Sequence, residues 1–128
     1  MEPEWRTLSM VEGRPLVGGT GLIRERARAE HGLAYEIRYP AGVASAEHSH
    51  DHDSIVHVLE GRVRGTVDGV WGEFGPGDVV VHPRGVRHHV EAVTDSRWIE
   101  FAAPLPGCSP VERKAKRPGR AARAFRGD

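Results

Sequence analysis

The chain has 128 residues, 38% hydrophobic and 28% charged, and its 18 Lys/Arg balance its 18 Asp/Glu. That length suits one domain with its own core, and no apolar run approaches the roughly 18–20 residues of a membrane-spanning helix. A neutral total gives no electrostatic footprint for nucleic acid, although residues 111–128 carry seven Lys/Arg against two acids and are net +5, leaving the rest at −5.

The start, Met1-Glu2-Pro3-Glu4, is polar, with no apolar stretch behind it, and argues against a secretory signal. Together with a single cysteine, Cys108, which has no internal disulfide partner, it fits a cytoplasmic protein. The first twenty residues offer one weak signal, a possible edge strand over 7–11. Residues 22–29 then alternate as a strand and end at His31-Gly32. Leu33, Tyr35, Ile37 and Tyr39 alternate with Ala34, Glu36 and Arg38 as a half-buried strand, which Pro40-Ala41-Gly42 ends. Strands follow at 55–60, 62–68, 70–74, 79–81, 88–93 and 97–101, with Asp68-Gly69 as a hairpin signal and Gly75 to Asp78 and Pro83 to Gly85 as turns. No segment has strong helical periodicity, so the pattern is that of an all-β sandwich or small barrel. After Phe101 the texture changes. Residues 1–106 form one expected domain, and residues 107–128 read as a flexible basic tail with little to bury.

Six of the eight histidines fall in two places, and these carry the chemistry. His48 and His50 are two apart, so on an extended chain both imidazoles face the same way, about 7 Å apart at Cα. His88 follows the Pro83-x-Gly85 turn and can approach from a neighbouring strand. Three neutral imidazoles with open positions suit a first-row divalent metal. His52 shares the parity of His48 and His50. His57, His82 and His89 are expected to face away from such a centre, and His31 to be solvated.

Gly42, five residues, His48-x-His50, three residues, Ser54, six residues and Gly61 resemble the first cupin motif. Gly77, five residues, Pro83-x-Gly85, two residues and His88 resemble the second. The resemblance covers about residues 33–103 and implies a double-stranded β-helix (a cupin or jelly-roll barrel) with a metal inside, commonly in a homodimer. The family's glutamate ligand corresponds to Ser54. Three readings of that serine compete: a three-histidine centre, a centre with His52 or Asp53 as fourth ligand, and a barrel that has lost its metal and only binds a ligand. If His88 points inward, Val90 and Ala92 do too, and Val56 and Val58 accompany Ser54. On the closing strand Trp98, Glu100 and Ala102 share a face, making Glu100 a candidate general base and Ser54, Val56, Val90 and Trp98 candidate pocket walls. Arg24, Arg26 and Arg28 share a parity and read as solvated surface or as an anion-binding wall.

Within the cupins, the His48 stretch and residues 91–104 are similar to small enzymes that ketonise unsaturated uronates. Those have an acid matching Glu100, but also an aromatic where Ala102 stands and an arginine soon after, where this chain has none. The resemblance says little about the reaction, and the leading expectation is a metal-dependent enzyme acting on a small oxygenated metabolite, of isomerase, cyclase or lyase type, with Fe, Mn, Ni or Zn undecided. The alternatives are a three-histidine iron dioxygenase and a non-catalytic sensor or ligand-binding cupin. No DNA-reading element is visible, which argues against nucleic acid as a partner.

Overall fold

A computed structural model of the chain describes residues 4–105; the basic tail expected at 107–128 lies outside the described residues. The eleven strands are β1 (Arg6–Leu8), β2 (Met10–Val11), β3 (Arg14–Pro15), β4 (Gly21–Arg28), β5 (Leu33–Tyr39), β6 (Asp53–Glu60), β7 (Val63–Val67), β8 (Val70–Phe74), β9 (Val79–His82), β10 (His88–Ala92) and β11 (Ser96–Ala103). Among the described residues there is no helix, hence none long and apolar enough to cross a membrane. The all-β expectation is met, and every strand expected from residue 22 onward is present within a residue or two of its expected bounds.

Alternation explains how the strands pack. Along β6, Ser54, Val56 and Val58 are buried while Asp53 and Ile55 are exposed. β6 lies between β11 and β9 in a six-stranded sheet ordered β1-β4-β5-β11-β6-β9, all of whose pairings are antiparallel. The second sheet, β10-β7-β8, packs against it through one core. That core joins Ile37, Tyr39, Val56, Val58, Val80 and Trp98 from the first sheet to Val63, Val67, Phe74 and Ala92 from the second. Burying each valine or larger side chain contributes about 1.5–3 kcal/mol. Gly61 ends β6 with a φ of 84°, and a Cβ there would collide with the Asp95 carbonyl. The glycine of the first motif is therefore a requirement of the tight turn into β7.

Two connections outside the main ladders complete the barrel around the histidines. The segment from Val43 to His48 runs beside β10, with bridges Ala44↔Glu91 and His48↔His88, and Ala44 also bridges Val17. The His48 and His88 backbones exchange hydrogen bonds of 2.9 and 2.8 Å, which locks the first motif to the second. The small hairpin β2–β3 lies at the mouth of the cavity, where Met10, Val11 and Glu12 form part of the wall.

On the outer face of β5, Glu36 is only 1% exposed. Arg24, Arg26 and Arg97 donate to its carboxylate at 2.7–3.1 Å. Burial alone would raise its pKa; the three guanidinium hydrogen bonds prevail and hold it at about 2. The arginine row expected on 24, 26 and 28 is thus divided. A bulge between Glu25 and Ala27 breaks the alternation of β4, Arg24 and Arg26 bind Glu36, and Arg28 pairs with Glu25.

Candidate metal centre

The backbone pairing of His48 with His88 brings three imidazoles together. One nitrogen from each of His48, His50 and His88 lies within 4.8 Å of the others. His48 and His88 are buried, and the rings meet edge to face or tilted, with centroids 4.3–4.9 Å apart.

The second nitrogen of each ring has an oxygen partner. His48 Nδ1–H donates to the Ala46 carbonyl at 2.7 Å, His88 Nδ1–H to the Val86 carbonyl at 3.1 Å, and His50 Nδ1–H to Glu12 Oε2 at 2.7 Å. Oxygen acceptors have no hydrogen to give, so each neutral ring carries its proton on Nδ1 and presents a bare lone pair at Nε2. His48 Nε2 and His50 Nε2 are then 3.2 Å apart, lone pair against lone pair. Only a proton or a metal ion shared between them relieves that contact. Burial opposes the proton: it lowers the His48 pKa and, helped by the neighbouring His82 and His48, holds His88 at about 2. A neutral, deprotonated imidazole is the form a metal requires, so the residues present fit a divalent ion.

The other histidines divide clearly. His52 groups with Glu12 and His50 rather than with His48 and His88. Its ring stacks on His50, centroids 4.5 Å apart and 14° between planes, and Nδ1–H donates to the Asp53 carbonyl at 3.1 Å. His82 is a correction: it was expected to face away, yet it is 3% exposed, lines the cavity and stacks on His88 at 4.0 Å and 8°. His82 and His88 are six residues apart, an even spacing, so they share a parity that the expectation overlooked. Within β9 itself, Val80 and His82 alternate inward. His89 is on the opposite face of β10, bonded to Thr66 at 2.7 Å, and His57 is half-buried outside the cavity. His31 is exposed.

Ser54 is fully buried, opposite both His82 and Ala102, with Oγ 3.4 Å from His52 Nδ1. Val56 is buried beside it; neither lines the cavity, whereas Val90 and Trp98 do.

The cavity holds about 170 Å³, below the ~300–1,000 Å³ of drug-sized sites. Its wall is mostly apolar: Leu8, Val11, Ile23, Ile37, Val90 and Trp98 surround the histidines. Glu100 lines it from β11, opposite Tyr35 on β5 and Val56 on β6. Tyr35 and Tyr39 also face it. Burial raises the pKa of both hydroxyls, and the Glu100 charge raises them further. Among the described residues, no Lys or Arg lines the wall.

Sequence reasoning missed Glu12. The β2–β3 hairpin has two-residue strands, too short for alternation to register, and a Glu-Gly turn is a weak hairpin signal.

Comparison with known proteins defines the class. The cupin domain family matches residues 35–101, over half the chain, and the protein belongs to that family. Its fold is similar to that of KdgF from Halomonas sp., with a TM-score of 0.64 and 26% identity over 66% of this chain and 78% of that one. An RmlC-like cupin from Shewanella frigidimarina has a TM-score of 0.65 and 24% identity, covering 81% and 95% of the two chains. Oxalate decarboxylase of Bacillus subtilis, which has Mn(II) centres, matches with a TM-score of 0.62 and 20% identity; this chain covers 26% of it. The latter two likenesses concern the fold alone. No curated protein gives a significant match.

Proposed function

We propose that this cupin is a mononuclear metal enzyme that moves a proton on a small oxygenated metabolite, in an isomerase, cyclase or lyase type of reaction. The observation that carries the reading is the convergence of one ring nitrogen from each of His48, His50 and His88 in the apolar cavity that Glu100 also lines. Fe, Mn, Ni and Zn all suit imidazole donors, and a divalent ion held there would supply Lewis acidity toward a carbonyl or enol oxygen. His48, His50 and His88 would hold that ion. Glu100 takes or returns the substrate proton, with the Tyr35 hydroxyl, kept protonated by burial, as a hydrogen-bond donor beside it. The apolar wall excludes water and strengthens these interactions. The size of the cavity supports a substrate of a few carbons or one sugar-acid ring. The sequence resemblance to cupins that ketonise unsaturated uronates supports that chemistry, whereas Ala102, at 2% exposure and facing Ser54 across the ladder, stands where those enzymes carry an aromatic. Homodimer formation in the cytoplasm is part of the same reading, and light scattering measures the dimer.

The test is deuterium incorporation from D2O into unsaturated uronates and small hydroxy- or keto-acids. Wild-type protein should exchange a carbon-bound proton. Glu100→Gln should keep its metal and lose at least about 100-fold in exchange rate. Exchange by the variant at the wild-type rate removes Glu100 from the reaction.

A second reading rests on Ser54. With no carboxylate at that position, the donor set is three neutral imidazoles, which also suits iron and dioxygen. Substrate-dependent oxygen uptake by the iron-loaded protein supports it, and oxygen-independent turnover with zinc, nickel or manganese excludes it. Saturable ligand binding with neither activity would leave the third possibility, a non-catalytic sensor.

A further inference from the structure

The turn between β2 and β3 holds a residue that its backbone does not favour. Met10 pairs with Pro15 and Val11 with Arg14, so Glu12 and Gly13 are the two loop residues, with φ of 51° and 75°. A two-residue hairpin with both φ positive selects Asn-Gly or Asp-Gly, because a short polar side chain tolerates the left-handed region. The chain follows that rule in its other such turn: Asp68 and Gly69, between β7 and β8, have φ of 52° and 79°. At Glu12 a longer side chain occupies the same conformation. Its reach brings Oε2 to 2.7 Å from His50 Nδ1, across 38 residues of sequence.

We propose that Glu12 is a positioning residue of the histidine centre, fixing His50 with its proton on Nδ1 and its Nε2 lone pair toward the ion. This rests on the metal-centre reading and extends the site into the N-terminal hairpin. His48 and His88 are oriented by backbone carbonyls, which no substitution removes. His50 alone of the three gives its Nδ1–H to a side chain. His52, stacked on its face, restricts how the ring tilts but leaves its edge free to rotate. A carboxylate that accepts from the distal nitrogen of a ligand imidazole fixes the tautomer and makes the bound nitrogen more basic. It also places one negative charge next to a centre whose donors are otherwise neutral. The carboxylate that Ser54 does not provide as a ligand is thus supplied one bond further out, from a different strand pair. Glu12 is about half exposed, so the contact acts through direction and tautomer more than through the strength of a surface ion pair.

The experiment compares wild type with Glu12→Ala, Glu12→Asn and Glu12→Gln in full-length protein. Zn2+ and Mn2+ affinities are measured by competition with a chromophoric chelator, and the His50 tautomer in metal-free protein by long-range 1H–15N NMR at pH 8. Glu12→Ala and Glu12→Asn should weaken metal binding by about 10- to 100-fold. Their His50 rings should shift toward the form protonated on Nε2, which then donates to His48 Nε2. Glu12→Gln, whose amide oxygen still accepts from Nδ1–H, should keep the wild-type tautomer and recover most of the affinity. Asn suits the turn better than Glu, so Glu12→Asn should melt no lower than wild type, and its weaker binding is then not a loss of fold. Unchanged metal affinity and unchanged tautomer in both Glu12→Ala and Glu12→Asn overturn the proposal. Failure of wild type to bind either metal sinks the metal centre itself, and the tautomer measurement still decides whether Glu12 sets His50.

Discussion

Lowering the pH of the metal-free protein from 7 to 4.5 should reduce its unfolding free energy by about 2–5 kcal/mol. The stacked pair His82 and His88 carries this effect, at 3% and 2% exposure. Burial, followed by the neighbouring histidines, holds them at about 3 and about 2, whereas an unfolded histidine titrates near ~6.5. Both folded rings therefore stay neutral as the pH falls, while both unfolded rings take up a proton. The unfolded state binds more protons, so stability is complete above about pH 6.5 and declines below it by ~1.4 kcal/mol per pH unit for each ring. Two rings over two pH units give ~5 kcal/mol, and water admitted at the cavity mouth reduces this toward ~2 kcal/mol. Glu36 does not interfere in this window: its depressed pKa leaves its contribution intact above about pH 4.5, to be lost only as the pH falls toward about 2. Urea unfolding at four pH values after dialysis against a chelator measures the slope, and His82→Leu should flatten it. A change below ~1 kcal/mol, or a His82→Leu slope equal to wild type, refutes the reasoning.

Three more outcomes are expected. Glu36→Ala leaves Arg24, Arg26 and Arg97 facing one another around a buried site and should cost about 3–5 kcal/mol in urea unfolding at pH 7, while a loss below ~1 kcal/mol would show that the cluster is solvated. Trp98→Ala, which empties a side chain at 1% exposure packed edge-on to Tyr39 at 4.8 Å, should cost about 3–5 kcal/mol by the same assay; a cost under ~1.5 kcal/mol would mean that the wall collapses freely. Ser54→Glu places a carboxylate beside His52 on the inward face at about 1–3 kcal/mol of packing strain and should tighten metal binding, whereas unchanged affinity would show that position 54 does not reach the ion.

The parts of this molecule that the sequence discloses are those whose determinants lie close together in the chain. The strands from residue 22 onward follow from alternation bounded by glycine and proline, and the inward face of β11, with Trp98, Glu100 and Ala102, follows from a two-residue period. His48, His50 and His88 stand out because two spaced motifs place them on loop-to-strand junctions. What stays hidden depends on pairing across strands. Glu36 looks like an outward carboxylate on a half-buried strand, and only the register of β5 against β4 and β11 surrounds it with three arginines. His82 shares the parity of His88, but the turn at Pro83–Gly85 robs that agreement of force, and only the register of β9 against β6 turns it inward. Glu12 is on a hairpin too short to show a period, and its partner is 38 residues away.

The account turns on whether His48, His50 and His88 hold one metal ion. Elemental analysis of protein purified without added metal tests this most directly, with His48→Ala and His88→Ala alongside wild type. The expected result is about one divalent transition-metal ion per wild-type chain and near-complete loss in each variant, with folded β-sheet retained by circular dichroism. Wild-type metal content in either variant, or a metal-free wild type that binds none of Fe, Mn, Ni or Zn on titration, would contradict it.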